Sequence, residues 1–153
     1  QPSEIVRVTQ DAIARLGQVD ILVNNAGAAW GAPAEDHPLE AWDKVMNLNV
    51  RSIFLMSQAI GKHSMIPRKS GRIINVGSRG AYRGEPLHPA YGASKAAMHS
   101  LGQSLAVYLA PHGIAVASVA PGFIHTERQS DLLDSLAGLA IQAHDRRQYA
   151  FDV

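Results

Sequence analysis

Asp20-Ile21-Leu22-Val23-Asn24-Asn25-Ala26-Gly27 is a short, β-branched-rich apolar run that stops abruptly at polar and glycine residues, the pattern of a buried strand opening into a loop. Upstream, Ile5, Val8, Ala12, Ile13 and Leu16 follow helical periodicity, with Ser3 as a candidate cap and Gly17 as the stop. The two together form a helix-to-strand unit. Residues 28–37, with Gly31 and Pro33, read as loop, and Pro38 suits the first turn of a helix from about Leu39 toward Ile66, with Pro67 and Gly71 bracketing its exit. A second strand, Arg72–Val76, precedes a loop containing Gly77, Gly80, Gly84 and Pro86. A helix from about Ala90 to Leu109 follows, rich in small residues that admit close packing, and Pro111 and Gly113 end it. A third strand, Ile114–Val119, leads to Ala120-Pro121-Gly122, and Asp131–Ala143 reads as helical. Short apolar strands alternating with long helices predict an α/β fold of parallel βαβ units.

Composition narrows the function classes. A chain of 153 residues with 46% hydrophobic content is enough for one domain with its own core. Cysteine is absent, which excludes disulfides, thiolate metal sites and a cysteine nucleophile, and a reducing, cytoplasmic setting fits. Fourteen basic and 13 acidic residues are scattered to a net charge of +1, so nucleic acid and anionic membrane are not expected partners. No apolar stretch approaches a membrane span, and Gln1-Pro2-Ser3-Glu4 does not resemble a secretion signal. The seven histidines lack metal-ligand spacing, and no metal is predicted.

The chemistry is carried by Tyr91-Gly92-Ala93-Ser94-Lys95. On a helix, residues i and i+4 share a face, so the Lys95 ammonium is expected beside the Tyr91 phenol. A free tyrosine titrates near ~10; burial raises that value, and only a nearby positive charge or hydrogen-bond donors lower it. The pair therefore reads as a proton-transfer device, although tyrosine and lysine at this spacing also occur as plain surface contacts. Four further features bear on the choice. Asn24-Asn25-Ala26-Gly27 follows the first strand, and Ser78 ends the second, thirteen residues before Tyr91. Asn49 lies in the long helix with Asn47 as its competitor, and Pro121-Gly122-Phe123-Ile124-His125-Thr126 ends the third strand. Most of these stand at or beyond the carboxyl end of a strand, where open α/β sheets place ligands.

In their order and separations these motifs resemble the short-chain dehydrogenase/reductase family, in particular its 3-oxoacyl-carrier-protein reductases and sugar or polyol dehydrogenases, over about residues 1–126. The resemblance implies a Rossmann-type, doubly wound parallel sheet and an oxidoreductase that moves a hydride between NAD or NADP and a carbonyl or secondary alcohol. It implies Tyr91 as acid/base, Lys95 as its electrostatic partner and a ligand of the cofactor ribose, Ser78 as the hydrogen-bond partner of the reacting oxygen, and Asn49 as holder of a relay water. The separation from Phe54 favours Asn49 over Asn47. Asn24 and Gly27 match positions near the adenosine ribose, and Pro121, Gly122, Ile124 and Thr126 match positions around the nicotinamide. Each of the strand-end groups also has a simpler reading as a turn former. The family's habit of pairing its two long helices implies a homodimer or homotetramer.

The resemblance breaks at both ends. The glycine-rich pyrophosphate turn that opens the family is not seen ahead of the first helix, and residues 127–153 diverge as a region expected to shape the substrate pocket. The expectation is a single partial domain over residues 1–153, the catalytic half of a larger enzyme, with three strands and an exposed apolar sheet margin. Two other readings stand beside the oxidoreductase: a non-catalytic remnant that binds a subunit through its long helices, and an epimerase or dehydratase using the same constellation.

Overall fold

The computed structural model describes residues 2–122. The expected nicotinamide contacts at Ile124 and Thr126, the helix at Asp131–Ala143 and the divergent region 127–153 lie outside the described residues. Gln1–Pro121 forms one compact unit, and a second unit starts at Gly122.

The first helix, α1, spans Pro2–Leu16. It begins one residue before Ser3, so Ser3 sits within the first turn and is not the cap that periodicity suggested. Gly17 does end the helix: its φ is +75°, and its N–H returns to Ile13 O at 2.8 Å. The left-handed conformation that glycine adopts without penalty closes the last turn.

Three parallel strands follow, β1 (Ile21–Asn24), β2 (Gly71–Val76) and β3 (Ile114–Val119), arranged in that order across the sheet. Ile21 pairs with Arg72 and Gly71 with Ile114, which aligns Asn24, Asn75 and Ser118 in one row near the carboxyl end. Because side chains alternate across a strand, this register puts Leu22, Ile73 and Val116 on one face and Ile21, Val23, Ile74 and Val119 on the other.

Between β1 and β2 runs the long helical rod predicted from about Leu39 to Ile66, but it is not a uniform α-helix. Three α-helical pieces, α2 (Leu39–Met46), α3 (Ser52–Ile60) and α4 (Ile66–Arg68), are joined by two π-helical turns at Asn47–Arg51 and Gly61–Met65. Each π turn is closed by an i→i+5 bond, from Ser52 N–H to Asn47 O and from Ile66 N–H to Gly61 O. Ser52 Oγ donates to Leu48 O at 2.6 Å, giving a partner to a carbonyl within the widened turn. The last long helix, α5 (Pro89–Leu109), opens on a proline, whose missing N–H is unneeded at a helix start.

The rod and α5 cover the Leu22–Ile73–Val116 face. Ile60, Met65, Ile73, Leu109 and Ile114 form the buried core there, while α1 packs on α3. The other face is open among the described residues: Ile21 is 60%, Val23 53% and Val119 47% exposed. The exposed apolar margin expected from the sequence is thus a whole face as well as the outer edges of β1 and β3. Among the described residues no helix is long and apolar enough to cross a membrane.

Candidate active site

Past the end of the β2–β3 ladder the two chains continue side by side. Gly77 N–H donates to Val119 O at 2.6 Å and Arg79 N–H to Pro121 O at 3.3 Å, so Ser78 and Pro121 leave the sheet together. Ser78 is extended, and its Oγ accepts the Gly80 N–H at 3.1 Å, capping a short 3-10 turn over Arg79–Ala81. That bond uses a lone pair only, and the hydroxyl hydrogen is left to donate elsewhere.

The first turns of α5 pack on this 3-10 turn. A Cβ built on Gly80 would stand 3.5 Å from Ser78 Oγ and 3.5 Å from the Tyr91 ring, so serine and tyrosine approach the same point from two sides. One turn further along α5, Lys95 is 5% exposed, and its Nζ donates to Val76 O at 2.8 Å. The ammonium lies 5.7 Å from the centroid of the Tyr91 ring, the neighbourhood predicted from the i,i+4 spacing and within the range of a cation–ring attraction. Burial pushes the Lys95 pKa down from 10.5, because removing the ammonium from water disfavours the charged form. Two of its three N–H donors remain after the Val76 bond.

Asn49 sits in the first π turn and is fully buried, whereas its competitor Asn47 is exposed. Its Oδ1 accepts Ala28 N–H at 2.8 Å, and its Nδ2 donates to Ala28 O at 2.8 Å and to Ser94 Oγ at 2.9 Å. Both amide hydrogens are therefore committed. Ser94 Oγ in turn donates to Tyr91 O at 2.7 Å. The loop after β1 passes directly over this network: a Cβ on Gly27 would stand 3.4 Å from Asn49 Oδ1 and 3.6 Å from Lys95 Nζ. The structure thus brings Gly27, Asn49, Ser78, Tyr91 and Lys95 to one end of the sheet, with Pro121 beside Ser78.

Asn24 is held differently. It is buried, and its Nδ2 donates to Asn75 Oδ1 at 2.9 Å and Ser57 Oγ at 3.2 Å, which leaves only its Oδ1 to meet anything else. The simpler reading of Asn24, as a residue that ends and anchors a strand, accounts for these bonds. Gly122 is exposed and is the last described residue.

Three hydrogen-bonding residues at this end of the sheet are not singled out by the motifs. Ser94 lies inside Tyr91–Lys95, Asn75 is an amide in the apolar run Ile73–Val76, and Ser57 is on the rod; a polar residue amid strand hydrophobics is the cue for Asn75.

A profile of the short chain dehydrogenase family matches residues 1–136. The chain belongs to that family. It is 44% identical over 117 residues to a 2-dehydro-3-deoxy-D-gluconate 5-dehydrogenase of Bacillus subtilis, an alignment covering 76% of this chain and 46% of the relative. A gluconate 5-dehydrogenase from Burkholderia cenocepacia, solved with NADP and tartrate, superposes with a TM-score of 0.83 at 33% identity, covering 90% of this chain and 53% of that one. A xylitol dehydrogenase solved with NAD+ gives a TM-score of 0.84 at 30% identity, covering 97% and 55% respectively. This short-chain dehydrogenase chain therefore has the Rossmann-type parallel α/β fold, and it spans about half the length of the relatives it matches.

Proposed function

We propose that this chain carries the proton-transfer site of an NAD- or NADP-dependent oxidoreductase that interconverts a secondary alcohol and a ketone, with polyhydroxylated compounds as the substrate class. The approach of Ser78 Oγ and the Tyr91 ring to one point beside Gly80, with Lys95 next to the ring, carries the reading. The names of the relatives supply the cofactor and the substrate class.

The residues present fit a nicotinamide cofactor. Gly27 leaves clear the space in front of Asn49 and Lys95 that a Cβ would occupy, and Lys95 has two N–H donors free for ribose hydroxyls. Asn24 Oδ1, Pro121, Gly122, Ile124 and Thr126 complete the assignment, the last two from the family motif alone. When bound, the nicotinamide accepts or supplies the hydride.

The chain's own residues handle the proton and the oxygen. Ser78 donates its free hydroxyl hydrogen to the substrate oxygen and so fixes it next to Tyr91. Tyr91 gives the proton to that oxygen in reduction and takes it in oxidation. The Lys95 cation favours the phenolate that reduction leaves behind. Asn49 fixes Ala28 and Ser94 with its side chain, and the family motif assigns it the relay water. The exposed Phe54 on α3 and Val107 and Tyr108 on α5 support association through the two long helices into a dimer or tetramer.

The test is NAD(P)H-coupled turnover by the gene product over a panel of ketones and alcohols, beside Tyr91→Phe. The variant is expected to retain the nucleotide-induced rise in melting temperature and to lose about 10²–10⁴-fold in kcat/KM. Turnover unchanged in Tyr91→Phe would sink the mechanism.

A further inference from the structure

The loop between Ser78 and α5 brings a carboxylate to the edge of the same space. Glu85 Oε1 stands 3.5 Å from the point where a Cβ on Gly80 would lie, the point that Ser78 Oγ and the Tyr91 ring also approach to 3.5 Å. The carboxylate therefore belongs to the same local cluster as Ser78 Oγ and the edge of the Tyr91 ring. The side chain is neither buried nor free, at 32% exposure.

Its position is held from several directions. Glu85 O accepts the His88 N–H at 3.0 Å, and Glu85 Oε2 lies 3.9 Å from His88 Nδ1. His88 in turn packs against Gly31, where a Cβ would stand only 3.2 Å from Nε2. Ala32 N–H donates to Leu87 O at 2.9 Å, which joins the loop after β1 to the loop before α5. These two loops form one wall, and the carboxylate stands on it.

We propose that Glu85 determines substrate specificity by admitting neutral polyhydroxylated substrates and disfavouring those that carry a carboxylate near the reacting carbon. This rests on the oxidoreductase reading above. A carboxylate only accepts hydrogen bonds, so it matches a hydroxyl beside the reacting carbinol, which has a hydrogen to give. A substrate carboxylate in that place has none to offer, and two anions then face each other across a partly water-excluded site. Among relatives whose names include both sugar acids and a neutral polyol, Glu85 selects the polyol side. Its function is recognition.

The experiment compares neutral polyols (xylitol, glycerol, sorbitol) with sugar acids (D-gluconate, D-galactonate) as substrates of the gene product with NAD+ and with NADP+. Glu85→Gln, Glu85→Asp and Glu85→Ala are measured alongside. The wild type is expected to favour polyols, and Glu85→Gln, which keeps size and polarity without the charge, to shift the polyol/acid ratio of kcat/KM toward the acids by about tenfold, as expected for one unfavourable charge contact. Glu85→Asp retains the charge and is expected to keep the preference. Glu85→Ala also loses the hydroxyl acceptor, and its polyol kcat/KM falls as well. Melting temperatures identify any variant that misfolds, and Asp and Gln then decide between charge and shape. A wild-type preference for sugar acids, action on simple alcohols only, or a ratio unmoved by Glu85→Gln overturns the proposal while leaving the oxidoreductase intact. Wild-type protein without cofactor-dependent turnover of any alcohol or ketone overturns both.

Discussion

Ser94 shows how much a single hydroxyl organises at this site. It receives one of the two hydrogens of the buried Asn49 amide and donates its own to Tyr91 O, so it couples the rod to the first turn of α5. In Ser94→Ala the Asn49 N–H loses its acceptor inside the protein, which costs about 1–3 kcal/mol. Urea unfolding is expected to show that loss, and kcat to fall more than KM, because the change displaces Tyr91 without removing a binding group. At this scale much was legible from the sequence. The closeness of Lys95 to the Tyr91 ring followed from helical spacing, and the place of Ser78 beyond β2 from the apolar run before it. The bond to Ser94 did not, because its partner Asn49 is 45 residues away along the chain. The choice between Asn47 and Asn49 likewise depended on the phase of a helix that contains a π turn, which the residue pattern does not announce.

Elements meet here with little room between them, and α5 over the sheet is the tightest case. A Cβ on Gly102 would fall 2.6 Å from Ser118 Oγ and 3.1 Å from Asn75 Nδ2. Asn75 is fully buried and its Oδ1 already accepts from Asn24 Nδ2 at 2.9 Å, so its amide has little freedom to yield. Gly102→Ala is expected to destabilise by about 1–3 kcal/mol through overpacking. Gly61→Ala is the control. Nothing lies within 4 Å of its Cβ position, the backbone there is helical, and the change should be neutral or stabilising by up to about 1 kcal/mol in the same denaturant titration. The three strands and the span of α5 were legible from apolar runs and glycine or proline stops, which are local signals. The start of α1 was not, because an N-cap is a matter of backbone geometry and Ser3 supplied only the side chain for one. The strand-end amides were read as turn formers, and their cross-strand bonds became visible only with the register.

Across the whole molecule, the lower end of the sheet is tied to the rod by Arg68. Its Nε donates to Ser64 O, one terminal nitrogen to Val19 O and the other to Asp20 at 2.7 Å, just where β1 begins. The Arg68 hydrogen bond, followed by that from Gln18, holds the Asp20 pKa below 3.8. The stability this contributes is present above 3.8 and is lost as pH falls through the lowered value, since the folded state then takes up a proton that the unfolded chain already holds. The melting temperature of Asp20→Asn should therefore lie below that of the wild type at pH 6. The gap should narrow on acidification past 3.8 and shrink with added salt, because the pair is exposed.

The rod joins that lower end to the site above it. Its inward residues Ala41, Val45, Asn49, Ile53 and Ser57 recur at every fourth position. At 3.6 residues per turn each such step overshoots a full circle by about 40°, and a uniform α-helix would carry the stripe away from the sheet before reaching Ile60. The π turn at Asn47–Arg51 acts as a phase correction that returns the stripe to its face. The amide that orders the site and the isoleucine that fills the core thus share one continuous seam, and the timing of that seam is set by a single widened turn.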